Sequence, residues 1–478
     1  MARFNIVEKN NIREKTYEGA LAYKRSTADA WFNFLFSSFL EDQYYETSKE
    51  QINRFIELTD KMAQDLGYKF VGKAAIFARN ELGMRSISQL IAAWLNDKPF
   101  DCKRNFYKVF MHRPDDVSEI FAALGFLDQK KSHAFIKGAA DYLSTLNEYQ
   151  IMKYKMIGHQ YNMYDVINLT HAKSDVINAF MKGQLEAPDT WENKIVNAGS
   201  KERRQEEWIR LVEQHKLGYM ALIKNLNNIV SSNVTNYWIK TILVPQIKNE
   251  KAIKKSLIFP YRLYTAYKNL NVDNFYIKEA LEEAFQISTQ NVPDFGDGVS
   301  AIVLDVSGSM ESRVSKNSNI TLKEIGACFA MSLFYKNSNI DFIKFGTQAK
   351  RITINPLNSV FTNILKLSAN DNLGYGTELN SAFTIMNDNY ARIFLISDMQ
   401  IFDNPGWWYT SNNIIKQWRQ TYKDINTYSF DLGNYKSQIM SPYDNIVYLT
   451  SLSDKIFKFI GMSEGDSIES IINNYIDF

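Results

Sequence analysis

The 478-residue sequence predicts two architectures in series. Residues 1–290 read as mainly α, a stack of short antiparallel helix pairs, and residues 291–478 read as a doubly wound α/β domain. Three observations carry this. Up to residue 290, apolar residues recur at helical spacing in one short segment after another, and prolines are few: Pro99, Pro114, Pro188, Pro245 and Pro260. Beyond Val299, apolar runs of strand length alternate with helix-length segments, the pattern of a parallel sheet with crossover helices. Between the two lies Ser288–Gly298, STQNVPDFGDG, whose proline and glycines mark a linker.

Composition sets the class. Hydrophobic residues make up 45% and charged residues 23%, as in an ordinary globular protein. No apolar run reaches the ~18 residues of a membrane span, and MARFNIVEKNNIREK lacks the apolar core of a secretory signal. Cys102 and Cys328 are expected to be free, buried thiols in a reducing compartment, hence a cytoplasmic protein. The net charge of +2 hides an asymmetry: residues 151–270 carry 18 Lys and Arg against 10 Asp and Glu, whereas residues 291–478 carry 15 against 19. A polyanion-binding face and a solvated helical surface both account for the basic middle.

In chain order, residues 1–25 have few apolar anchors and read as an irregular arm. Thr27–Phe36 is a densely apolar helix. The next begins at Thr47 with Glu50 as capping-box partner and stops at Gly67. Helices are expected over Lys69–Leu82, from Ser86 with Gln89 as box partner, and over Asp115–Leu127, Lys131–Leu146 and Met163–Phe180. In the C-terminal part, strands are expected at Val299–Leu304, Ile340–Phe345, Arg351–Ile354, Ala391–Ser397, Asn426–Phe430 and Ile446–Leu449. Helices are expected at Leu322–Tyr335, Val360–Leu367, Leu379–Met386, Ile414–Tyr422 and Ile468–Tyr475.

The chemistry centres on Asp305-Val306-Ser307-Gly308-Ser309, at the carboxyl end of the first strand, where open α/β sheets place their ligands. One carboxylate and two hydroxyls at alternate positions are hard oxygen donors suited to Mg²⁺ or Mn²⁺, although such a run is also a common polar turn or helix N-cap. A second loop, Asn372–Leu379, offers Thr377 after a glycine-rich turn, and the strand Ile393–Ser397 ends in Asp398. This region resembles the von Willebrand factor A family, a Rossmann-like fold with a metal-ion-dependent adhesion site. The resemblance implies Ser307, Ser309 and Thr377 as ligands of a divalent ion, and Asp305 and Asp398 as the carboxylates holding it. It also implies an open coordination position that takes an acidic group from a protein partner. Asp341, Asp403 and Asp431 fit none of the three loops and read as caps or turn residues.

The helical part carries a second resemblance. Trp191-Glu192, Gly199, Trp208 and Gly218–Leu226, with Ala78-Arg79-Asn80-Glu81, Asp165–Lys173 and Ile258–Arg262, resemble the TROVE domain of Ro, telomerase-associated and vault proteins. A TROVE domain followed by a von Willebrand factor A domain is the arrangement of the Ro autoantigen family, and the chain is similar to a bacterial or phage Ro orthologue. That implies a ring-like stack of HEAT-like repeats which, as a monomer, binds Y-like noncoding RNA and the single-stranded 3′ ends of misfolded RNA. Carried over position by position, Lys153 and Lys155, then His171 and Lys173, are the implied RNA contacts. Helical surface charge explains the lysines equally well, and a packed core histidine explains His171. Trp191 and Trp208 read as core.

The competing reading is a metal-dependent protein-adhesion module on a helical scaffold without an RNA role. An enzyme is not expected: there is no Walker A loop, no Gly-x-Ser-x-Gly elbow and no His-Glu-x-x-His, and all five histidines precede residue 220.

Overall fold

The computed structural model describes residues 13–15, 21–24 and 27–37, then 47–400 except 187, 257, 293–297, 315–317, 338 and 388, then 421–422, 425–433, 437–438, 446–449 and 467–478. The chain is mainly helical with one α/β unit, and it divides into two compact units. The α/β unit comprises Val292–Ile456 with Met1–Ser37 and Glu41–Glu50; the helical unit comprises Gln51–Asn291 with Ser38–Leu40 and Phe457–Phe478.

In the α/β unit, the strands in chain order are β1 (Arg13–Lys15), β2 (Leu21–Lys24), β3 (Ser300–Asp305), β4 (Ile340–Phe345), β5 (Ala349–Ile352), β6 (Arg392–Ser397), β7 (Asn426–Asp431), β8 (Ser437–Gln438) and β9 (Ile446–Leu449). Six of them form one sheet in the order β5-β4-β3-β6-β7-β9, all parallel except the β4–β5 pair. Every residue of β3 is buried, as its unbroken apolar run requires of a strand covered on both faces. Chain order reverses between β3 and β6, so their carboxyl ends flank the topological switch point where such sheets bind ligands.

The N-terminal arm is not irregular in its described part. β1 and β2 pair as an antiparallel hairpin, and β2 pairs in turn with β8. Backbone hydrogen bonds hold this small sheet, and its side chains alternate too little in polarity to announce it. Helix Ile468–Tyr475 has the expected bounds but belongs to the helical unit rather than to the α/β domain. There Tyr475 packs edge-on against Phe77 and donates to Glu81 at 2.9 Å, Lys73 Nζ donates to the Asn473 carbonyl at 2.8 Å, and Phe478 rests against Phe106.

Two further differences have local causes. Ser86–Trp94 is a helix without the expected capping box, because Gln89 turns inward and donates to the buried Asp116 at 2.7 Å. The Arg79 guanidinium and the backbone N–H groups of His112 and Arg113 converge on the same carboxylate. The expected helix Met163–Phe180 is two helices, Met163–Thr170 and Asp175–Met181. His171 takes a left-handed conformation (φ 56°) and ends the first, and the Ser174 hydroxyl caps the second by accepting from Ile177 N–H at 3.1 Å. Cys328 is buried as expected, but Cys102 is exposed, at a left-handed residue (φ 61°) just before the helix Lys103–Phe110. Asp403 and most of the expected helix Ile414–Tyr422 lie outside the described residues.

Candidate metal centre and nucleic-acid interface

At the switch point, parallel pairing of β3 with β6 sets Asp305 beside Ser397, whose hydroxyl donates to Asp305 Oδ2 at 2.6 Å. The chain turns tightly after Asp305, and Ser307 N–H donates to Oδ1 at 2.8 Å. This turn brings the Ser307 and Ser309 hydroxyls within 3.4 Å of each other. The second loop docks on the first through Gly308 N–H to the Tyr375 carbonyl at 2.8 Å and Asn370 Nδ2 to the Val306 carbonyl at 3.0 Å. Thr377, two residues beyond Tyr375, is buried. The loop sits so low because Gly346 has no Cβ: one would meet the Gly374 carbonyl at 2.3 Å. The third loop places Asp398 with Oδ1 accepting from Gln400 N–H at 3.3 Å.

Asp305 and Asp398 are both completely buried. Burial pushes the Asp305 carboxyl up to about 6, against the hydrogen bonds from Ser307 and Ser397 that favour its ionised form. Burial raises Asp398 further, reinforced by the charge of Asp305 and, more weakly, of Asp431. The Ser309 hydroxyl and Gln400 N–H only partly offset this. Asp398 Oδ2 is buried and accepts no well-formed hydrogen bond among the described residues. A buried carboxylate oxygen without a well-formed hydrogen bond among the described residues, beside a second carboxylate and two hydroxyls, is a group suited to a counter-charge. The donor set is all oxygen, which suits Mg²⁺ or Mn²⁺ and not a soft metal. Among the described residues no three His, Cys, Asp or Glu side chains cluster as a metal site, so any cation here would depend on the hydroxyls of Ser307, Ser309 and Thr377. Asp431 is a turn residue, accepting from Gly433 N–H at 2.8 Å, and Asp341 pairs with Arg351 at 2.8 Å.

In the helical unit, Lys153 ends the helix Glu148–Lys153, lies over the ring of Tyr149 at 5.4 Å and donates from Nζ to the Tyr149 phenol oxygen at 3.1 Å. That bond holds its ammonium above the ordinary lysine value. Lys155 is half-exposed, and its carbonyl closes the following loop by accepting from Met163 N–H at 3.1 Å. His171 and Lys173 are exposed in the break between the two short helices, so His171 is not a packed core residue. Lys155, His171 and Lys173 have no side-chain partner among the described residues. The helix Glu148–Lys153 packs against Asp175–Met181, which places the four residues on neighbouring elements.

Two residues beside them escaped sequence reasoning. Tyr149 is 49% exposed, and its spacing of four from Lys153 was the available signal. Arg113 lies over the Tyr154 ring at 5.1 Å while pairing with Asp115 at 3.1 Å, a contact that only folding creates. Of the aromatic residues in the basic segment, Tyr164 and Tyr237 are exposed, whereas Trp208 and Tyr219 are buried. Trp191 packs on Trp208 at 5.6 Å; Trp208 is core as expected, whereas Trp191 is only half-buried.

The TROVE domain family matches residues 129–291. Telomerase protein component 1 of Rattus norvegicus is 20% identical over 296 residues, 42% of this chain and 11% of that protein. The Mus musculus protein of the same name is 27% identical over 88 residues, 18% of this chain and 3% of that one. The chain thus spans about a tenth or less of the length of these curated relatives. The crystal structure of the Deinococcus radiodurans Ro (RSR) protein superposes with a TM-score of 0.62 at 14% identity, covering 92% of this chain and 100% of that one, which establishes a shared fold. Residues 129–291 thus match the TROVE domain family, and the chain shares the fold of the Deinococcus radiodurans Ro (RSR) protein.

Proposed function

We propose that this protein binds RNA through its helical unit and holds a divalent cation, Mg²⁺ or Mn²⁺, at the three-loop site of its α/β unit, where the cation takes an acidic group from a protein partner. The RNA it takes is a Y-like noncoding RNA and the single-stranded 3′ end of a misfolded RNA. The observation that carries the reading is the group formed by half-exposed Lys155 and exposed His171 and Lys173, none with a side-chain partner among the described residues, beside Lys153 and flanked by the exposed rings of Tyr149 and Tyr164. Phosphates need such unneutralised cations, and unpaired bases need such rings to stack on.

The protein works as a binding module and not as an enzyme. A hydrolytic cation needs a positioned base, and every histidine lies in the helical unit. No helix among the described residues is long and apolar enough to cross a membrane.

The test is binding of a structured RNA with a single-stranded 3′ tail, and of the same RNA without it, across a salt series. Tail-dependent binding is expected, with a slope of log K against log salt that falls by about 1.5 when Lys153 and Lys173 are both changed to Gln, at roughly 0.7–0.9 per phosphate contact. Weak, tail-independent binding with an unchanged slope would move the metal-dependent adhesion reading, supported by the orphaned Asp398 oxygen, to first place.

A further inference from the structure

A recess of about 460 Å³ opens between the helices Tyr219–Lys224, Leu226–Val230 and Pro260–Lys268, and none of the four residues just named lines it. Its volume is in the range of small-molecule sites, about 300–1,000 Å³. Ala221, Ile223, Leu226 and Ala266 give it an apolar lining. Two exposed cations, Lys224 and Arg262, also line it, and neither has a carboxylate within ion-pair distance among the described residues. The Arg262 guanidinium lies 5.1 Å from the ring centre of the buried Tyr261, which steadies it on one face and leaves the other free.

We propose that this recess holds one nucleoside monophosphate unit, its base against the apolar lining and the free face of Arg262 and its phosphate at Lys224. Bases splayed out of single strands stack on guanidinium planes in this way. A peptide fits less well, because peptide recognition uses main-chain hydrogen bonds and the amides here are already engaged. Asn227 Nδ2 donates to the Asn269 carbonyl at 2.6 Å, its oxygen accepts from Asn271 N–H at 2.9 Å, and Asn269 Nδ2 donates to the Thr265 carbonyl at 3.0 Å. The monophosphate could come as a free nucleotide or as one residue of a single-stranded RNA. The second source rests on the RNA reading above, and it is the one the basic surroundings favour.

The test uses the full chain, a single-stranded oligoribonucleotide carrying 4-thiouridine, and UMP. Photocrosslinks are expected within residues 219–269. Arg262→Gln and the space-filling Ala266→Leu should each weaken oligonucleotide binding about tenfold, the loss of one base-stacking contact. Lys224→Gln should lower the salt slope by about 0.7. Oligonucleotide binding that depends on Lys153 and Lys173 but crosslinks elsewhere and ignores Arg262→Gln and Ala266→Leu overturns the recess and leaves the RNA reading standing. Binding of UMP, lost in Arg262→Gln, with no oligonucleotide binding keeps the recess as a free-nucleotide site and removes the RNA source. Binding of neither ligand overturns both. Lys224 and Arg262 are exposed, so far-ultraviolet circular dichroism should show both variants folded as the parent.

Discussion

Replacing Asp305 by Asn should stabilise the protein when no divalent cation is present, although it removes a residue at the centre of the candidate site. The unfolded carboxyl titrates near 3.8 and the folded one near 6. Between these values the folded chain keeps a proton that the unfolded chain has released. Stability contributed by this group is therefore greatest below pH 4, declines as pH rises towards 6, and is level above it. Two units correspond to about 3 kcal/mol at 1.36 kcal/mol each. Asparagine keeps the carbonyl oxygen that accepts from Ser307 N–H, can donate to the Ser397 hydroxyl, and carries no charge to bury. In EDTA at pH 7.5 the variant should gain about 3 kcal/mol, or roughly 6–12 °C for a unit of this size. Mg²⁺ at a hundred times its dissociation constant should stabilise the wild type by about 2.7 kcal/mol and the variant not at all. In the wild type that shift should fade as pH drops through 6, because the cation competes with the proton. Thermal melts with EDTA and with Mg²⁺ at pH 5 and 7.5 read all of this. A variant that melts below the wild type in EDTA at pH 7.5, or that responds to Mg²⁺ as the wild type does, refutes the reasoning.

Two other substitutions probe the supports of the two units. Asp116→Ala strands the buried Arg79 guanidinium and frees two backbone N–H groups, and urea unfolding should show a loss of about 3–5 kcal/mol, the cost of an uncompensated buried charge. Asp116→Asn should lose less, since it still accepts from the backbone. Gly346→Ala puts a Cβ against the Gly374 and Leu373 carbonyls, so the second loop must rise and give up the Glu378 N–H bond to the Gly346 carbonyl. It should destabilise the α/β unit by about 1–3 kcal/mol and remove its Mg²⁺-dependent melting shift; an unchanged shift would show that the low seat of that loop is not required.

What the sequence determined by itself was whatever one strand or one helix could carry alone. The alternation of buried runs with helical segments is a local property of side-chain burial, so β4 and β9 were legible to the residue. So was the Asp305–Ser309 turn at a strand end, because a tight polar turn after an apolar run needs no distant partner. The break at His171 was not legible, because a left-handed histidine between two polar stretches leaves the hydrophobic period almost intact. The hairpin of β1 and β2 was hidden for a related reason: its partner β8 is more than four hundred residues away, and backbone pairing leaves no mark on composition. Only tertiary structure decided that Gln89 would desert its cap for Asp116, that the last helix would join the helical unit, and that Asp398 would bury an oxygen with no well-formed hydrogen bond among the described residues. Each of these turns on which groups lose water together, and burial of that kind is a property of the folded surroundings rather than of any single segment.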